Sequence, residues 1–83
     1  IQYSYKSMKL TITKLDKALF DGEAISVTVP GIEGEMTILP EHEAFISPLK
    51  TGVITARTGS EEQQFEIESG LLEVSNNQVT ILV

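Results

Sequence analysis

Val29-Pro30-Gly31-Ile32-Glu33-Gly34-Glu35-Met36-Thr37-Ile38-Leu39-Pro40-Glu41-His42, followed after a few apolar residues by Leu49-Lys50-Thr51-Gly52, is the stretch on which the reading of this chain turns. Proline removes a backbone donor and fixes φ, while glycine reaches φ values that other residues avoid. The stretch therefore holds a tight turn bearing Glu33 and Glu35, with Gly31 and Gly34 as turn formers, and then a corner at Pro40-Glu41-His42. An acidic turn joined to a Pro-x-His corner is an uncommon way to connect strands, and nothing around it supplies a catalytic set. It reads as a surface for gripping a partner.

Outward from it the apolar period is two almost everywhere. Leu10 and Ile12 alternate with threonines. Ile25, Val27 and Val29 alternate with Ala24, Ser26 and Thr28, and Phe65 and Ile67 with Glu66 and Glu68. Val79, Ile81 and Val83 end the sequence in the same rhythm. Such alternation marks strands with one wet face. Asn76-Asn77 suits a tight hairpin, Thr58-Gly59-Ser60 a second turn, and Asp21-Gly22 separates Phe20 from a strand beginning near Ala24. The only candidate helix, residues 14–20, is too short to stand alone and is expected to be a bend. Turns fall roughly every 8 to 15 residues, so the fold is predicted as all-β, an antiparallel β-sandwich of about ten short strands in two sheets.

Eighty-three residues make one domain, and at this size only about 60% of the unfolded surface can be buried. There is no cysteine, which removes disulfides and thiolate chemistry together. No apolar run approaches the roughly 20 residues that cross a bilayer, and the start Ile1-Gln2-Tyr3-Ser4-Tyr5-Lys6-Ser7 lacks the apolar stretch of a signal peptide. The periodic pattern begins just after Met8, so residues 1–7 are expected to be a leader or appended residues and residues 8–83 the domain. Charge is uneven: residues 1–17 carry four lysines against Asp16, whereas the remainder carries Lys50 and Arg57 against eleven carboxylates, giving the net charge of −6. An acidic body repels phosphate backbones and anionic headgroups, and favours a basic partner face over nucleic acid or a membrane surface.

His42 is the one imidazole. A metal would then need carboxylates such as Glu41 and Glu43, which flank it on the opposite side, so no metal site is expected. None of Ser26, Ser47, Ser60, Ser69 or Ser75 lies in a nucleophile-elbow sequence, and no hydrolase triad can be assembled around His42. Paired glutamates could serve glycoside chemistry, but Trp is absent and alternating glutamates are more simply a solvated face. Gly31 and Gly34 bracket two residues without a following helix, which is no phosphate-cradling loop. No catalytic residue and no cofactor are expected.

From Leu10 to Val83 the chain resembles the amino-terminal β-sandwich domain of the ε subunit of F-type ATP synthases, the subunit called δ in mitochondria. The resemblance rests on Phe20-Asp21-Gly22 ahead of a strand ending Val29-Pro30-Gly31. It rests also on Glu33-Gly34-Glu35 leading through Ile38-Leu39-Pro40 to His42, on Leu49-Lys50-Thr51-Gly52, and on Gly70-Leu71-Leu72-Glu73-Val74 with Val79-Thr80-Ile81-Leu82. Each piece is weak alone, and their order and spacing are together specific. The chain departs at Thr37, where the family often has glycine, at Glu43-Ala44 in place of Ala-Pro, at Pro48, and at Ser69-Gly70 in place of Gly-Gly. The family usually continues into a helical hairpin, which residues up to Val83 do not include, so neither inhibition of hydrolysis nor nucleotide binding is expected of these residues.

The resemblance implies a non-catalytic central-stalk part that links the γ subunit to the membrane c-ring and couples proton transport to ATP synthesis. It places Pro30, Gly31, Ile32, Glu33, Gly34 and Glu35 on the c-ring, and Lys14, His42 and Ser47 against γ. It implies a peripheral position on the cytoplasmic face of an energy-transducing membrane, the bacterial inner membrane in this reading. The alternative from another class is a stand-alone β-sandwich binding module for a soluble ligand or carbohydrate, since a fold by itself does not fix a function.

Overall fold

Alternating apolar residues can bury one side of a strand only by sharing it with other strands, and nine strands among the described residues do so. The computed structural model describes residues 6–83. The strands are β1 (Met8–Lys14), β2 (Lys17–Ala24), β3 (Ser26–Gly31), β4 (Gly34–Ile38), β5 (Phe45–Leu49), β6 (Gly52–Thr58), β7 (Glu61–Ile67), β8 (Gly70–Ser75) and β9 (Gln78–Leu82). The described residues contain no helix. Of the expected leader, residues 1–5 lie outside this description.

The all-β expectation holds, but the two separate antiparallel sheets do not. Hydrogen bonding runs as one path, β2-β1-β9-β8-β5-β3-β6-β7, with β4 added on β3. The path is mixed, because β1 and β9 pair in parallel, Leu10 opposite Val79 and Ile12 opposite Ile81. A period of two tells which side of a strand is buried. It says nothing of which neighbour pairs with it or in which direction.

The sheet curls over a core that includes Leu10, Ile12, Val27, Val29, Ile54, Leu72, Val79 and Ile81, each no more than 1% exposed. Burying such a side chain is worth about 1.5–3 kcal/mol, and no buried polar side chain offsets it among the described residues. The two edges of the path meet through side chains, Phe20 on β2 lying edge-on to Phe65 on β7 with centroids 6.3 Å apart. Ile25 N–H donates to Arg57 O at 2.8 Å near the same seam.

Two local expectations change. Asp21 and Gly22 do not turn the chain; they lie inside β2, opposite Thr11 and Leu10. The turn falls earlier, at Leu15-Asp16 between Lys14 and its partner Lys17, in the segment expected to bend, with Leu15 at φ 56°. The strand expected from near Ala24 starts instead at Ser26, because a bend at Ile25 moves the phase by a residue, leaving Ala24 and Val27 both buried. Val27 and Val29 therefore face the core, whereas Ile25 is only half-buried. The Asn76-Asn77 hairpin does form, with both residues at positive φ, 50° and 58°, as a primed turn requires. Gly59, at φ 48°, turns β6 into β7.

Pro30 stands within β3, and its place in the ladder explains why it is tolerated. Its carbonyl accepts from Lys50 N–H at 2.9 Å, and in an antiparallel strand the nitrogen of a residue points to the same side as its oxygen. The missing donor thus falls on the side away from β4, where β3 leaves β6 and meets β5 only at Gly31 and Leu49. The β3–β4 pairing is left whole.

Candidate interaction surface

The β3–β4 hairpin closes Gly31 on Gly34, leaving Ile32 and Glu33 at its tip. The positive φ of the turn, 136°, falls on Gly34, the residue that has no Cβ to object. Gly31 has a different task from the one expected. It is extended within β3, and a Cβ there would stand 2.7 Å from Gly34 O and 2.9 Å from Met36 Cε, so glycine allows close approach and does not form the turn.

The expected contact segment divides accordingly. Pro30 and Gly31 are buried in the stem, whereas Ile32, Glu33 and Glu35 are exposed and Gly34 is half-buried. Against the hairpin lies a cleft of about 370 Å³, lined from the hairpin side by residues 31–36 and from β5 by Ser47 and Pro48. Ser47 is half-buried there, its hydroxyl donating to Pro48 O at 3.2 Å.

Two residues back on the same strand, Phe45 carries the exposed His42 ring, centroids 5.0 Å apart. His42 Nδ1 lies 2.9 Å from Glu43 O; a carbonyl has no proton to give, so Nδ1–H is the donor. The hairpin, Ser47 and His42 are thereby brought along one edge. Lys14 is not with them. It lines a separate cavity of about 830 Å³ together with Leu19, Gly52, Val53, Ile67 and Val83, beside the 91% exposed Leu15.

Sequence reasoning missed the outer face of β5, β8 and β9. Ile46, Leu71 and Leu82 are 63%, 41% and 50% exposed, Leu71 sits directly opposite Leu82, and Pro48 opposite Leu71. The signal was available in Phe45-Ile46, Leu71-Leu72 and Ile81-Leu82, where both strand parities are apolar, as in strands covered on both sides. Such a patch on a small domain marks an interaction surface. Among the described residues no three His, Asp or Glu side chains converge as a metal would need.

Comparison with known proteins gives this chain a family. Residues 7–83 match the family described as ATP synthase, Delta/Epsilon chain, beta-sandwich domain. Curated relatives named ATP synthase epsilon chain include one from Dehalococcoides mccartyi, 39% identical over 75 residues that make up 90% of this chain and 54% of the relative. Another, from Moorella thermoacetica, is 39% identical over 92% of this chain and 58% of its own length. The chain thus spans little more than half the length of these relatives.

Among solved structures, a chain of the Euglena gracilis mitochondrial ATP synthase, OSCP/F1/c-ring in rotational state 1, superposes with a TM-score of 0.87 at 26% identity, over 93% of this chain and 50% of that one. A chain of the Tetrahymena thermophila mitochondrial ATP synthase central stalk and c-ring shares the fold, with a TM-score of 0.79 at 20% identity, over 98% of this chain and 66% of that one. A family match spanning all but the first six residues, on a fold shared with chains of two rotary enzymes, places the sequence: it belongs to the ATP synthase delta/epsilon chain family and carries that family's β-sandwich domain.

Proposed function

We propose that the domain is a non-catalytic rotor part of an F-type ATP synthase, seated between the γ subunit and the c-ring and carrying rotation from one to the other. The observation that supports this most is the acidic hairpin tip, held outside a stiff curled sheet in a chain of this family. Torque transfer needs a body that does not shear, and a hydrogen-bonded sheet closed over a packed core is such a body. In this reading Ile32, Glu33 and Glu35 meet basic polar loops of the ring, with charge setting register more than affinity. Pro30, Gly31 and Gly34 hold the tip in shape from behind.

His42 and Ser47 face γ along the β5 edge, and the apolar face of Ile46, Leu71 and Leu82 adds area to that contact. Lys14 reaches γ from the other cavity, as a second point of attachment. Seated in this way the protein is peripheral to an energy-transducing membrane, on the cytoplasmic side in a bacterium. Family membership favours this reading over a carbohydrate-binding module.

The double reversal Glu33→Lys/Glu35→Lys tests it in the reassembled enzyme. Both side chains are exposed, so the isolated domain should keep its melting temperature, surface charge changes being worth only about 0–1 kcal/mol. ATP-driven proton pumping should fall several-fold while hydrolysis by the catalytic head continues. Pumping at the wild-type level would remove the hairpin from the ring.

A further inference from the structure

Glu41 is a glutamate at φ 66°, a left-handed conformation that costs a non-glycine residue free energy and persists only where its surroundings impose it. It immediately precedes His42. What holds it is the side chain of Asn77, from the β8–β9 turn on a distant part of the sequence. Glu41 N–H donates to Asn77 Oδ1 at 2.7 Å, and Asn77 Nδ2 donates to Ser7 O at 2.8 Å. The two partners fix the orientation of the amide without ambiguity, since one offers a proton and the other only lone pairs. The Asn77 backbone joins in, its carbonyl accepting from Lys9 N–H at 3.1 Å. One residue therefore ties together the entry to β1, the β8–β9 turn and the corner that carries His42.

Turn chemistry alone does not ask for asparagine there. A primed two-residue turn is most easily closed by glycine at its second position, and Asn77 occupies that position at φ 58°. Its neighbour Asn76 also has positive φ, but its side chain makes no hydrogen bond among those of the described residues, so it serves as a turn former only. The two asparagines look equivalent in sequence and differ in task.

We infer that Asn77 is a positioning residue: its side chain sets the conformation of the Pro40-Glu41-His42 corner, and through it the pose in which His42 meets the partner subunit. The second half of this rests on the rotor reading above; the first half does not. The corner, seated on Phe45 at one end and on Asn77 at the other, is presented ready-made, so little ordering is left to be done on association.

Asn77→Gly removes the side chain and keeps the positive φ, while Asn76→Gly makes the same backbone change without touching these bonds. In the 83-residue protein, Asn77→Gly should speed hydrogen exchange of the Glu41 amide roughly tenfold, as loss of one good hydrogen bond implies. Asn76→Gly should leave it within about twofold. Affinity for the γ subunit of the same enzyme should follow the same division, falling roughly tenfold for Asn77→Gly alone. Any loss of general stability from added glycine would appear in both variants, so the difference between them reports the side chain. Equal exchange at Glu41 in the two variants overturns the positioning role. Faster exchange with unchanged γ affinity overturns its bearing on the partner. Should the wild-type domain not bind γ at all, the rotor reading fails, while Glu41 exchange still decides what Asn77 does to the corner.

Discussion

Leu72→Ala is expected to destabilise the domain by about 2–5 kcal/mol, the range for emptying a well-packed site in a core. Leu72 is fully buried in β8, between Ser47 on β5 and Ile81 on β9, and so sits where the two halves of the curled sheet share one interior. Neighbours drawn from paired strands cannot collapse into the void without breaking register, which argues for the upper part of the range. A domain of this length has a total stability of about 5–15 kcal/mol, so the loss is a large share of it. The melting temperature should drop by at least about 8 °C, given roughly 4–8 °C per kcal/mol at this size. Leu71→Ala one position earlier is the internal comparison: Leu71 is 41% exposed on the outer face and should cost under about 1 kcal/mol in the isolated domain. Thermal melts of the pair check the assignment of faces, and equal losses would show the assignment to be wrong.

That pair also shows what the sequence could and could not tell. Leu71 and Leu72 are alike in composition, and only the alternation of Leu72, Val74, Val79 and Ile81 picks out the inward parity. The strands and most hairpins were legible because side-chain period and turn chemistry are local. The parallel pairing of β1 with β9 was not, since it joins the two ends of the domain through hydrogen bonds that impose no residue preference. Asp21-Gly22 misled for a related reason: a turn-forming dipeptide in an edge strand is tolerated when the opposite strand supplies the ladder. At the site, the acidic tip and the His42 corner were visible as charge and punctuation. The hold of Asn77 on Glu41 was not, because it is a contact between residues 36 apart made by a side chain whose type already had a sufficient local explanation.

Gly31→Ala is the change expected to convert a small steric insult into the largest loss at the hairpin. The added Cβ would stand 2.7 Å from the carbonyl oxygen of Gly34 and 2.9 Å from Met36 Cε. The methionine end can swing aside, being flexible and only half-buried. The carbonyl is held more firmly, because Gly34 pairs with Gly31 across the hairpin and moving it reshapes the turn. Overpacking of this kind costs about 1–3 kcal/mol, and here the strain is relieved by moving the tip that carries Ile32 and Glu33.

The cleft against Ser47 and Pro48 must then change shape, and with it the direction in which the acidic tip points. Coupled proton pumping should suffer as much as with the charge reversals, although Glu33 and Glu35 are both intact. Gly34→Ala separates the two effects, since a Cβ there meets nothing within 4 Å and only φ strain remains. The decisive comparison is Gly31→Ala with Met36→Ala. If the backbone contact limits the fit, trimming the methionine leaves the hairpin displaced, seen as amide shifts from Ile32 to Glu35. If trimming restores those shifts and the pumping, the obstruction was only a side chain, and the need for glycine at the foot of the hairpin would have to be abandoned.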